Sequence, residues 1–279
     1  MRTETTPTTK TDAAPARLFQ RVLVGVDGSP ESAEAARQAA LLVAAEGTLT
    51  LLSAWTVPPP AVGGMGPIVS YELGAGAFRQ EAEHAVATAT TAISPPATPQ
   101  AKVVRGFAWD ELIKEAEREP ETLIVVGSHG QGRMRGILIG STATEVVHKA
   151  PCSVLVARWG GKRFPRRIVV GVDGSRESAA AYTVARQLAD RLGSELWPVV
   201  AHGGDGVDRA AVAAILDRRH EDLPDEPVRA LVAASADADL VVVGSRGLHG
   251  LKALGSVSER VAHDAHCSTL IVRPAATEA

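Results

Sequence analysis

Cysteine is scarce in this chain: Cys152 and Cys267 are the only two in 279 residues. Two thiols provide no disulfide framework, and no zinc-ligand spacing surrounds them. Each leads into an apolar run, the setting of a buried thiol. Aromatic residues make up 4% of the chain against 45% hydrophobic overall, so a core must rest on Val, Leu, Ile and Ala. Neither sign of charge is in excess. A net charge of −3 argues against a nucleic acid held on a broad basic face. No stretch approaches the ~18 apolar residues of a membrane span. Residues 1–18 are rich in Thr, Pro and Ala and carry no apolar signal segment. They read as a disordered tail on a cytoplasmic protein.

What the chain does have is repetition. Val22–Ser29 (VLVGVDGS) returns as Ile168–Ser175 (IVVGVDGS). Ile124–Gly130 (IVVGSHG) returns as Val241–Gly247 (VVVGSRG), and Pro151–Val156 (PCSVLV) returns as His266–Val272 (HCSTLIV). Three blocks in the same order mean two copies of one unit. The expected division is a first domain over 19–158, a linker over 159–165 and a second, shorter domain over 166–274.

In the first copy, Arg21–Val26 is a β-branched run of the kind buried on both faces of a parallel sheet. Ser29 can cap a helix with Pro30 at its first position. That helix is expected over Glu31–Ala45, with Ala35, Ala39, Leu42 and Val43 toward the sheet and Gly47 as its stop. Strand two follows at Thr48–Trp55, then a Pro/Gly-rich loop (Val57–Pro67) and a helix over Glu72–Ala92. Strand three is expected at Ala101–Arg105, helix three at Ala108–Glu119 and strand four at Leu123–Val126. A long loop (Gly127–Gly140), a helix over Ser141–Lys149 and a strand at Ser153–Ala157 complete the unit. Such alternation implies right-handed crossovers and a doubly wound α/β fold with an open parallel sheet.

The copies differ in length. Asp27 to Asp173 is an offset of 146 and Gly127 to Gly244 an offset of 117, so 29 residues are missing between those points. The first helix (Ser178–Leu192) and strand two (Glu195–Ala201) survive. The truncation therefore falls in the middle, and strand three of the second copy is expected to be absent or degenerate.

The Gly127–Gly140 loop carries the chemistry. Glycines permit close backbone approach, and successive amides leading into a helix start form an anion cradle. The hydroxyls of Ser141 and Thr142 can add hydrogen bonds, and ligands of open α/β sheets gather at the carboxyl ends of the strands. The loop is neither a Walker A sequence nor a dinucleotide fingerprint. A plainer reading also stands: the glycines only turn the chain, and Ser141, or Thr142 with Glu145, only caps the helix.

The Gly127-x2-Gly130-x9-Gly140-Ser141 spacing, the Val26–Ser29 opening and the Ala150–Val154 ending together resemble the universal stress protein family, in its tandem form. The resemblance implies strand order 3-2-1-4-5 in each copy and ATP as the ligand of the first. Carried over by position, Val26 and Asp27 would lie near adenine and ribose. Gly127 would approach the ribose, and Gly130, Gly140 and Ser141 would hold the phosphates, with His129 and Thr142 adjacent. A divalent ion such as Mg on the phosphates is compatible with this, although no protein ligand cage for it is visible. The second copy has seven residues between Gly247 and Gly255 where the first has nine, and weak or no binding is expected there. The last strands of the two copies should pair across a pseudo-two-fold, so that one chain imitates a dimer; a further homodimer stays open.

The function expected from this is a non-catalytic, ATP-binding regulator of stress physiology with an unidentified protein partner. Two alternatives stand beside it. A slow ATPase or phosphotransferase would need Asp27 or His129 as a positioned base. A ligand-free interaction module would need neither.

Overall fold

A computed structural model of the chain describes residues 19–57, 69–95, 97–119, 121–130, 139–161, 163–203, 207–217, 219–245 and 256–274. The tail, most of the Val57–Pro67 loop and the middle of both glycine loops lie outside them. The first copy supplies β1 (Phe19–Gly25), α1 (Pro30–Leu42), β2 (Val43–Trp55), α2 (Val69–Thr91), β3 (Gln100–Arg105), α3 (Ala108–Glu117), β4 (Thr122–Gly127), α4 (Ser141–Lys149) and β5 (Ser153–Ala157). The second supplies β6 (Arg167–Gly171), α5 (Arg176–Leu192), β7 (Glu195–Ala201), α6 (Arg209–Ile215), β8 (Glu221–Leu223), α7 (Pro227–Ala234), β9 (Leu240–Gly244), α8 (Ser256–Asp264) and β10 (Ser268–Val272). No helix among the described residues is long and apolar enough to cross a membrane.

The strands form one ten-stranded sheet ordered β3-β2-β1-β4-β5-β10-β9-β6-β7-β8. Each half keeps the order 3-2-1-4-5, and every pairing is parallel except the central one. There β5 meets β10 antiparallel, with Leu155 opposite Leu270. These two residues match between copies, so the pseudo-two-fold runs through their pair.

Strands buried on both faces explain the continuous apolar runs. Val22, Val24, Leu123 and Val125 face one core together with α1, α2 and α5. Leu23, Ile124 and Val126 face the other, covered by α3, α4, α7 and α8. Ala35, Ala39 and Leu42 are fully buried on the first face; small alanines let α1 lie close to the sheet.

The end of α1 departs from expectation. The helix stops at Leu42, and Val43 is already extended. Residues 43–47 join β2 through a register shift, Phe19 facing Val43 and Arg21 facing Thr48. Gly47 therefore does not cap a helix. A side chain there would come within 2.8 Å of the Gln20 carbonyl, so the glycine permits close strand contact. Its counterpart Gly193 does terminate α5, in the left-handed conformation with φ 66°. The truncated middle of the second copy holds a seven-residue helix, α6, and a three-residue strand, β8, on β7. Strand three is degenerate there rather than absent.

Two arginines cross the central seam in opposite directions. Arg158, just after β5, donates to the carbonyls of Ala262 (2.6 Å), His263 (3.0 Å) and Cys267 (3.2 Å). Arg273, just after β10, donates to those of Val147 (2.7 Å) and Cys152 (2.8 Å). Each guanidinium thus caps the last helix of the other copy, where a cation also meets the negative end of the helix dipole. Gln38, fully buried, donates to the Arg158 carbonyl and accepts from Ser268. His148 Nε2 lies 2.9 Å from the Glu259 carboxylate across the seam. Burial pushes the Cys152 thiol up to about 11 and that of Cys267 to about 12, with the neighbouring arginine of each pulling the other way.

Candidate functional site

At the carboxyl end of β1 the ladder continues one residue, Val26 N donating to Leu52 O. The chain then turns through Gly28, at φ 82°, where glycine avoids the Cβ strain of positive φ. Asp27 Oδ1 accepts from Ser29 N (3.0 Å) and Ser29 Oγ (2.6 Å), while Asp27 N donates to Ser32 Oγ. Ser29 Oγ in turn accepts from Ser32 N, capping α1 with Pro30 behind it. The carboxylate is therefore fixed by the start of the helix it precedes. Asp173, Ser175 and Ser178 repeat these bonds in the second copy.

The second wall comes from β4. Ser128 N donates to Ala157 O, and the Ser128 carbonyl accepts from Gly140 N at 2.6 Å. This bond ties the two ends of the glycine loop together. The three glycines serve different purposes. A Cβ on Gly127 would lie 3.0 Å from the backbone of Glu31, so that glycine lets α1 pack on β4. A Cβ on Gly130 would run into the Asp27 carboxylate. Among the described residues a Cβ on Gly140 would meet nothing closer than 3.5 Å, and its φ of −75° with ψ 161° suits any residue. Neither the packing of the described residues nor the backbone conformation asks for glycine at 140.

Gly140 is also the N-cap of α4, and it offers no side-chain cap. Ser141 and Thr142 lie inside the first turn, so neither is the capping residue, and the Glu145 carboxylate reaches Lys149. First-turn amides have no intrahelical acceptor, and the residues of this first turn line the cleft beside Asp27. His129 Nδ1 lies 3.2 Å from Ser128 Oγ.

Val26, Asp27, Gly127, His129, Gly130, Gly140, Ser141 and Thr142 all line this one cleft of about 320 Å³. The volume falls in the ~300–1,000 Å³ range of small-molecule sites. Gly25, Ser32, Ala108, Val126 and Ala143 line it too, and sequence reasoning missed them. Ser32 had a signal, because Asp-Gly-Ser-x-x-Ser recurs as Asp173–Ser178. Ala108 had none: only the sheet order brings the start of α3 to this place. Among the described residues no lysine or arginine lines the cleft, so an anion there would meet amides and hydroxyls. Arg133 and Arg135 lie outside the described residues. No His/Cys/Asp/Glu cluster able to hold a metal occurs among the described residues.

In the second copy the matching turn is covered. Asp208 N donates to Asp173 O, and a Cβ on Gly174 would lie 2.7 Å from the Asp208 carbonyl. The start of α6 packs directly on this turn. Gly247, Gly255 and Arg246 lie outside the described residues.

The model of the universal stress protein family matches residues 18–158 and 208–273. A universal stress protein of Mycobacterium tuberculosis is 35% identical over 193 residues, a match taking in 58% of this chain and 64% of that protein, just under two thirds of its length. One of Mycolicibacterium smegmatis is 29% identical over 294 residues, covering 91% of this chain and 97% of its own. Among solved structures, a universal stress protein from Archaeoglobus fulgidus superposes with a TM-score of 0.61 at 20% identity, covering 94% of this chain and all of the other. A putative universal stress protein from Pseudomonas aeruginosa gives 0.66 at 15%, covering 92% and 94%. At such identity the two structures speak for the fold alone.

Proposed function

The chain belongs to the universal stress protein family, and from that premise we propose that its first half is a non-catalytic, ATP-binding regulatory module. The observation that carries this reading is Gly140. The described residues leave room for a side chain there and the backbone suits any residue, yet the position holds the least obstructive one, at a helix start without a side-chain cap. A ligand's phosphates seated against that start would account for it, drawn by the amides and the helix dipole. Asp27, fixed by Ser29, stands ready for the hydroxyls of a ribose. A divalent ion would arrive with the phosphates and neutralise them. The two units over 19–158 and 166–274 are then unequal partners, the second providing the paired half with α6 packed against its Asp173–Gly174 turn.

An ATPase reading has less support. One oxygen of Asp27 is committed to the Ser29 amide and hydroxyl, which weakens it as a base. The test is thermal unfolding of the full chain with and without Mg-ATP. A ligand present at a hundred times its Kd should stabilise the native state by about 2.7 kcal/mol. Gly140→Leu should fold normally and lose the shift. No shift at millimolar ATP would overturn the proposal, and steady ADP release abolished by His129→Ala would favour the enzyme.

A further inference from the structure

A second cleft, of about 360 Å³, opens at the other end of the first half's sheet, below the amino ends of β1, β2 and β3. Arg21, Thr48, Thr50, Gln100, Lys102 and Glu119 line it, and Glu115 forms its floor. Glu115 is largely buried and touches three cations: Arg21 (2.8 Å), Lys102 (2.6 Å) and Arg118 (2.5 Å). Burial pushes its carboxyl up, but the Lys102 hydrogen bond and the three positive charges together hold it below the usual range. One buried carboxylate thus neutralises one of three surrounding charges. Arg21 Nη1 is buried without a hydrogen-bond partner among the described residues. It faces only the carboxylate of Glu119, 3.2 Å away on a side chain that is 64% exposed. A buried guanidinium N–H left to one exposed surface carboxylate is a donor open to a better acceptor.

The internal repeat supplies a control for whether this is merely how the fold is built. Arg167 matches Arg21, and the strand registers match Thr50 to Trp197. The contacts Gly25–Leu112 and Gly171–Leu231 match Glu115 to Ala234. In the second half Ala234 belongs to the apolar core and Trp197, half-buried, packs against it, Arg167 lies over the Trp197 ring at 5.6 Å, and its Nη1 donates to the Asp237 carbonyl. The same fold therefore closes this place with an indole and satisfies the arginine. The first half instead keeps hydroxyls, a lysine and an unsatisfied donor around open space.

We propose that this cleft binds the anionic group of a small, hydroxyl-bearing metabolite, a carboxylate or a phosphate, which displaces Glu119 from Arg21. The anion sits between Arg21 and Lys102, and Thr48, Thr50 and Gln100 hydrogen-bond the polar body behind it. The site is separate from the cleft at the carboxyl ends of the strands and stands whether or not that cleft takes ATP.

The test is amide NMR of the full chain titrated separately with inorganic phosphate and with succinate. Saturable shifts at Arg21, Thr48 and Lys102 are expected, and the tighter of the two probes names the anion. Glu119→Gln should tighten binding roughly threefold by removing the competitor. Thr50→Trp, which copies the second half, should weaken it at least about tenfold. Should Thr50→Trp misfold, Lys102→Gln serves instead, with a comparable loss expected. Shifts confined to Gly127, Gly140 and Ser141 would overturn the proposal. So would the absence of saturation by either probe up to about 50 mM, or unchanged binding in the folded variants.

Discussion

Arg158 offers a sharp test of how the two halves hold together. Its guanidinium is mostly buried, and burial lowers its pKa, with Cys267 and Asp264 opposing. It gives two short hydrogen bonds to the last turn of α8, at 2.6 and 3.0 Å, and a longer one to Cys267. Charge-assisted bonds contribute roughly 1.5–3 kcal/mol each, so the two short ones alone reach roughly 3–6. Taking the cation out of water returns several kcal/mol of that gain. For Arg158→Met, which keeps the bulk of the stem, a net loss of about 2–3 kcal/mol follows, or roughly 4–8 °C in Tm for a chain of this size. Because the bonds run from one half to the other, the loss should also loosen coupling between them. Urea unfolding, followed by near-UV circular dichroism from tryptophans on both sides of the seam, would broaden or split. Arg158→Lys, able to reach fewer of the carbonyls, should fall between. A Met variant within about 0.5 kcal/mol of the parent, with one unchanged transition, would show that the α8 carbonyls are satisfied without the arginine.

Two further outcomes are expected. Gly130→Ala should push a methyl against the Asp27 carboxylate, cost about 1 kcal/mol, and remove most of the Mg-ATP shift in the same thermal assay. The thiols should be inert in the native state. With Cys152 at about 11, against ~8.5 for a free thiol, its thiolate fraction at pH 8 is roughly two hundred times lower, so iodoacetamide should label both cysteines mainly through unfolding. Rapid labelling of Cys152 in the native protein would contradict the raised pKa of this half-buried thiol.

Much of the fold was legible because its signals are local. A short, Val-rich apolar run such as Arg21–Val26 suits a buried strand, and Ser29–Pro30 suits a helix start. Eight residues of the cleft were legible from the glycine spacing together with the family resemblance, since strand ends and a helix start on a parallel sheet converge on one side. The plainer reading of Ser141 and Thr142 as caps failed because the chain already turns at Gly140. Gly47 misled because a glycine after an apolar helix is the usual stop, and whether the helix reaches it depends on the neighbouring strand. Its twin Gly193 does stop α5, so identical local sequence logic had two outcomes.

The sequence by itself determined the repeat, the alternation of strand and helix, the family and the composition of the glycine loop, all of which depend on patterns a few residues long. Only the tertiary structure decided which glycine answers to what. Gly127 makes way for the backbone of Glu31, Gly130 for the side chain of Asp27, and Gly140 for neither. It also decided that Arg158 and Arg273 cap each other's halves over sequence separations of more than a hundred residues. Likewise it decided that a threonine and a tryptophan at one matched position leave a cleft in the first half and fill it in the second. Such outcomes depend on which distant groups the sheet brings together, and no local pattern in the chain records them.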